Sequence, residues 1–335
     1  MSAHLLIAAL RDPACVTALD ASGWNALIAA ARAERLIGTL AERCAGLRLP
    51  DAAERILADA RFSAREGRRT ALWEAEATRR ALAPLGVPVI LLKGTAYAAA
   101  GLAAGRGRAI GDCDILVPKA RIGEVERALL AAGWEWVKPD PYDDAYYRRW
   151  MHELPPLIHR DRDAMIDVHH TILPLTARVT PDAEALIADS EVLDGGLRVL
   201  GGSDMICHAA AHLFADGDLA GGLRNLWDIH CLIGDLGTDG LAARAERHGL
   251  REPVLRAVRL SHHLYGTDVP DGWRHLRPAD WLFRRRLSSR DGWGRATNRL
   301  LEEGFYMRSH LLRMPPGMLA RHLWTKWRKG HRPVA

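Results

Sequence analysis

VPVILLKGTAYAAAGLAAGRGRAIGDCDILV, residues Val87–Val117, is the stretch whose reading decides the fold. Val89–Leu92 is a short apolar run of the kind that makes a buried strand. It passes through Lys93-Gly94 into an alanine-rich segment with helical preference. Gly105, Gly107 and Gly111 mark a turn-rich connection. A second strand, Asp112–Val117, follows. Residues two apart on a strand point the same way, so Asp112 and Asp114 share one face, and Cys113, Ile115 and Val117 the other. Two carboxylates side by side repel unless a cation or proton lies between them. Oxygen ligands at this spacing suit Mg²⁺, which takes a few carboxylates together with substrate phosphates. A bare D-x-D is read first as two solvated residues where a strand begins. The succession of strand, Lys-Gly, helix, glycine-rich loop and apolar strand moves the reading towards a metal site.

Working outward, a chain of 335 residues is long enough for a sizeable core and two or three subdomains. Charged residues at 26% and apolar residues at 48% are the balance of a soluble globular protein. No apolar run approaches the length of a membrane span. The N-terminal MSAHLLIAALRDPAC has no basic leader ahead of its apolar residues, which argues against a secretory signal. Five dispersed cysteines (Cys15, Cys44, Cys113, Cys207, Cys231) without CxxC spacing argue against a disulfide framework or zinc ribbon, and for a reducing cytoplasm. The net charge of +5 permits a polyanionic partner without requiring one. Only five of the basic residues are lysines, which singles out Lys93 at the turn.

Residues 1–86 read as helices. Trp24–Cys44 has apolar residues at helical spacing, and Asp51 is a candidate cap for a long helix running towards Leu82, ended by Pro84 and Gly86. After the D-x-D strand, Lys119–Ala132 reads as an amphipathic helix stopped at Gly133, and Trp134–Val137 as a strand. Pro139–Trp150, with three tyrosines, reads as a loop or short helix that either covers an active site or is plain surface. Leu154–His159 and Ala164–His169 read as two strands joined by the polar turn 160–163. In the second, Ile166 and Val168 face the core, with Asp167 and His169 on the other side. If this strand lies beside the D-x-D strand, Asp167 supplies a third carboxylate. His169 then binds phosphate, positions Asp167 or satisfies a backbone carbonyl.

From Asp182 the chain reads as helical. His208 and His212, four apart, lie on one helix face. That spacing chelates zinc in other settings, but there is no HExxH, base or third ligand here, so helix packing or contact with a nucleotide base is expected. In Leu223–Ile229, Arg224 either meets phosphates or forms an i,i+4 pair with Asp228. The C-terminal end is strongly basic. Leu319, Leu323 and Trp327 share a helix face, which fits either a packed helix with a basic end or contact with a membrane surface or nucleic acid.

Taken together, Leu92-Lys93-Gly94, Arg108, Gly111–Asp114, Asp167-Val168-His169 and the paired-His and Arg/Asp helices resemble a bacterial branch of uncharacterised nucleotidyltransferases. That branch lies within the polymerase-beta-like superfamily, and the resemblance spans roughly residues 20–235. It departs from the wider superfamily in having Lys93-Gly94 where Gly-Ser is usual, and a longer gap to the carboxylates. The resemblance implies an α+β fold, with a small mixed sheet in a catalytic core at 87–175, between a helical region at 1–86 and a helical domain with a basic tail at 176–335. It implies transfer of a nucleoside monophosphate from an NTP donor to an acceptor, with release of pyrophosphate. Asp112, Asp114 and Asp167 would hold Mg²⁺, two ions during turnover, with Asp167 helping to deprotonate the acceptor. Lys93, the amides around Gly94, Arg108, His169 and Arg224 would contact the nucleotide. Arg108 would assist the leaving pyrophosphate or pair with Asp112. A rival reading keeps the fold without turnover, as a nucleotide-binding regulator or antitoxin-like partner. The acceptor (small molecule, protein or RNA) is left open.

Overall fold

The short apolar runs around the D-x-D motif become the centre of a mixed sheet. In the computed structural model, which describes residues 2–137 and 140–328, seven strands are assigned. They are β1 (Ile90–Leu91), β2 (Asp112–Leu116), β3 (Trp134–Trp136), β4 (Leu157–His159), β5 (Met165–His169), β6 (Glu191–Val192) and β7 (Arg198–Val199). Their order across the sheet is β3-β4-β5-β2-β1-β7-β6. β2 runs antiparallel to β1 and parallel to β5, so the D-x-D strand does lie beside the Asp-x-His strand. The sheet is flanked by helices before and after it, giving the α+β architecture expected.

The apolar faces explain the pairing. Ile90, Leu91, Ile115, Leu116, Ile166 and Val168 are each exposed by 1% or less. Burial of a side chain of this size is worth about 1.5–3 kcal/mol. The helix Asp51–Leu82 spans the range anticipated from sequence and covers the Cys113 face of β2, burying Ala71, Ala75 and Leu82. Asp51 is not its cap. It stands in the first turn, where its charge complements the helix dipole, and Pro50 occupies the capping position without a side-chain bond.

Two other expectations are corrected and two are sharpened. Trp24–Cys44 is not one helix but two, Ala21–Ala33 and Ile37–Arg43, because Arg35 turns the backbone to φ +55° between them. Pro141–Trp150 is a full helix, and the Asp140 carboxylate accepts from the Tyr142 and Asp143 amides. The Lys119–Ala132 helix starts with a single 3₁₀ turn and is α-helical from Ile122. The chain is not purely helical after Asp182, because the hairpin of β6 and β7 adds to the sheet beside β1. Two-residue strands with an exposed Val192 carry almost no periodic signal.

The N-terminal helices are tied to the rest by close backbone approach and buried polar bonds. A Cβ at Gly107, whose φ is +64°, would stand 2.4 Å from the Gly38 carbonyl oxygen, so the glycine-rich connection presses directly onto the helix Ile37–Arg43. Buried Glu34 accepts from the Leu223 amide at 3.1 Å and from Arg290 at 2.7 Å. Residues from Leu6 to Phe305 share one hydrophobic cluster. In the final helix, Pro316–Arg328, Leu319 is buried and Arg321 exposed. The side chains of Leu323 and Trp327, and residues 329–335 of the basic tail, lie outside the described residues. Among the described residues, no helix is long and apolar enough to cross a membrane.

Candidate active site

The parallel register of β2 and β5 sets Asp114 directly opposite Asp167 and Leu116 opposite His169. Alternation along each strand then brings Asp112, Asp114 and Asp167 to one face. One oxygen from each of the three lies within 4.8 Å of the others. Asp114 is buried, and two cationic or hydrogen-bonding groups meet its Oδ1: Lys93 Nζ at 2.5 Å and His169 Nε2 at 3.0 Å. Burial by itself would raise the Asp114 carboxyl. The His169 hydrogen bond and the Lys93 ammonium outweigh it and hold the group well below the ordinary carboxylate range.

Asp167 is the opposite case. Burial first, then the charges of Glu153 and Asp114, push its carboxyl up to about 7. Its Oδ1 is buried and has no hydrogen-bond partner among the described residues. Asp112 is also raised, by burial and then by Asp114. A buried acceptor without a donor is costly unless a cation or proton supplies the missing charge. Three carboxylates with one orphaned oxygen are a donor set that fits a hard divalent cation such as Mg²⁺.

Lys93 reaches Asp114 from the first residue of the short helix Lys93–Ala99, with its backbone held at φ +49°, a conformation that costs a non-glycine residue about 1–3 kcal/mol. The constrained turn directs the ammonium at the carboxylates. Gly94 is needed for a different reason. A Cβ there would lie 2.5 Å from Arg108 Nε, so the glycine gives the Arg108 side chain room to cross the turn.

Arg108 crosses the Tyr97 ring, with its guanidinium carbon 5.8 Å from the centroid, and ends on Asp228. It does not pair with Asp112. Arg224 is also drawn to Asp228, at 2.6 Å, and donates to Thr39 Oγ1 at 2.6 Å. Its guanidinium is almost wholly buried, so the structure places Arg224 in the i,i+4 helix pair and in a tie to the N-terminal helices.

The site also contains Glu153 and His152, which sequence reasoning did not single out. An antiparallel bridge sets Glu153 opposite His169, and His169 Nδ1 lies 3.3 Å from Glu153 Oε2. His152 adjoins them, its ring centroid 5.1 Å from that of His169. Burial, then the charges of His169 and Lys93, hold the His152 imidazole well below its usual value, so it is neutral. Tyr147, on the tyrosine-bearing helix, has its phenol pushed up to about 12 by burial and by Glu153 and Asp167. No motif spacing links 147–153 to Asp167; only strand pairing brings them together. His208 is buried and feels Lys93, His212, His169 and Asp114, which places the paired-His helix against the site. Among the described residues, neither His208 nor His212 belongs to a group able to hold an ion.

Comparison with known proteins bears on this geometry. A family model described as an uncharacterised nucleotidyltransferase matches residues 20–266, that is 247 of the 335 residues. No curated protein matches the chain. Among solved structures, the chain is similar to the solution structure of the antibiotic-resistance factor ANT(2'')-Ia, at 17% identity and a TM-score of 0.38, over 59% of this chain and 98% of that one.

Proposed function

From the premise that the chain belongs to this uncharacterised nucleotidyltransferase family, and is a transferase, we propose that it moves a nucleoside monophosphate from an NTP to an acceptor nucleophile and releases pyrophosphate. The observation that carries the reading is the convergence of Asp112, Asp114 and Asp167 on one face, with Asp167 Oδ1 left unpartnered. These residues would hold Mg²⁺, which when bound supplies charge neutralisation to the triphosphate and to the entering and leaving oxygens of an in-line displacement.

The chain's own residues divide the remaining work. Asp167 would also help to take the acceptor's proton. His169 fixes the Asp114 carboxylate from one side. Lys93, with a quarter of its side chain exposed, can turn from Asp114 to a phosphate oxygen once other positive charge reaches that carboxylate. Arg108 and Arg224 act through Asp228 as positioning residues, holding the glycine-rich connection against the C-terminal helices. The five cysteines are all free, which supports a cytoplasmic location for this chemistry.

Calorimetry of NTP binding with and without Mg²⁺, on the wild type and on Asp112→Asn/Asp114→Asn, tests the reading. Metal-dependent binding that the double variant loses is expected, with turnover down by about 1,000-fold or more once an acceptor is found. Absence of metal-dependent NTP binding by the folded wild type, or undiminished binding by the variant, would overturn it.

A further inference from the structure

His169 stands between two acidic groups, and only one of them is accounted for by the carboxylate triad. Its Nε2 donates to Asp114 Oδ1 at 3.0 Å, which leaves Nδ1 as the other ring nitrogen. That nitrogen faces Glu153 Oε2 at 3.3 Å, within a side chain that is 2% exposed. It has no hydrogen-bond partner among the described residues. A buried ring nitrogen set against a carboxylate calls for a cation or a proton between them. His152 Nε2 lies 3.7 Å from the same Glu153 oxygen. One ligand atom each from His152, Glu153 and His169 lies within 4.8 Å of the other two.

The backbone makes this arrangement firm. The Leu154 amide donates to the Val168 carbonyl at 2.9 Å and the His170 amide to the His152 carbonyl at 2.9 Å, so residues 152–154 are clamped beside 168–170. Two of the three ligand separations approach those around a bound ion. Two ligands each about 2.0–2.1 Å from a tetrahedral zinc ion are separated by about 3.4 Å, close to the observed 3.3 and 3.7 Å.

We propose that His152, Glu153 and His169 form a second metal centre, separate from the aspartate triad, that takes a borderline divalent transition metal of the zinc type. Two imidazoles and one carboxylate favour such an ion over Mg²⁺, which prefers oxygen ligands. Asp114 becomes the outer partner of this centre. A metal-bound histidine that gives its other N–H to a carboxylate is held in one tautomer and orientation. Asp114 would serve both centres, through one oxygen to His169 and through its other oxygen towards the triad. Three protein ligands leave a coordination position for water or for a heteroatom of the acceptor.

The test uses full-length protein stripped with a chelator and titrated with Zn²⁺ or Co²⁺ in millimolar Mg²⁺, which occupies the triad. Retained metal is counted after dialysis, and the visible absorption of Co²⁺ reports nitrogen ligation. One ion per chain is expected. His152→Ala and the near-isosteric Glu153→Gln should each weaken its binding by about 100-fold or more, while Asp167→Asn keeps it. Circular dichroism confirms folding, and Glu153→Gln serves if His152→Ala does not fold. Absence of stoichiometric Zn²⁺ or Co²⁺ in the wild type, or loss in Asp167→Asn with retention in Glu153→Gln, would overturn the proposal.

Discussion

Asp228 and Asp167 are two acids set into the same fold with opposite surroundings. Asp228 is 2% exposed and saturated, with Arg108 and Arg224 both ending on its oxygens. Asp167 is ringed by Glu153, Asp114 and Asp112, and keeps one buried oxygen without a donor. An acid that arginines already satisfy has nothing left to offer a ligand, so it serves to join elements. An acid crowded by other acids is held in a state that a cation relieves. The burial of a carboxylate therefore says less about its role than the sign of the charge around it.

The contrast breaks most sharply at the saturated acid. Asp228→Ala leaves two guanidinium groups without their shared partner in a buried setting, and breaking such a pair costs about 3–5 kcal/mol. Urea denaturation should show that loss, while metal binding by the protein that remains folded is kept. A loss below about 1 kcal/mol would mean that the arginines find other partners and that the lock is not structural.

At the crowded acid the prediction is one of pH. A carboxyl titrating at about 7 binds its proton in competition with a divalent ion below that pH. Apparent Mg²⁺ affinity should therefore rise by about tenfold per unit as pH increases towards 7, which is about 1.4 kcal/mol per unit, and level off above it. In Asp167→Asn the slope should vanish along with most of the affinity. A wild type whose affinity is flat between pH 5 and 7 would place Asp167 outside the metal site.

The smallest effect is expected where the two regions meet. Gly94→Ala puts a Cβ against Arg108 Nε and must displace that side chain, at a cost of about 1–3 kcal/mol. If Arg108 only ties the turn to Asp228, the variant loses stability and keeps its Mg²⁺ affinity. A variant that instead loses affinity at unchanged stability would move Arg108 from the lock to the site.

How much of this was legible in the sequence follows the range of the interactions. Strand alternation sets Asp112 with Asp114, and Asp167 with His169, each pair on the side of its strand away from the apolar residues that mark the strands. The Asp51–Leu82 helix is readable because its pattern runs for many turns. The pairing of β2 with β5 carries no local signal and entered through family resemblance. Glu153 and His152 were missed because they precede a strand with no fixed spacing to Asp167. The hairpin of β6 and β7 was missed because two residues are too few to show a period. For Arg224, sequence offered phosphate or Asp228 equally, and only the position of Thr39 on a distant helix places it in the lock.

The glycine contact between Gly38 and Gly107 has a consequence for how the molecule can be divided. Position 86 marks a change from helix to strand, and buried contacts cross it. A fragment beginning at Val87 would lose the Gly38 backbone against which Gly107 rests, the Thr39 hydroxyl that Arg224 uses and the Glu34 carboxylate that caps Leu223. The leading helices are thus a built-in mould for the loop that delivers Asp112. Trimming the chain to its sheet would discard the template along with the apparent appendage.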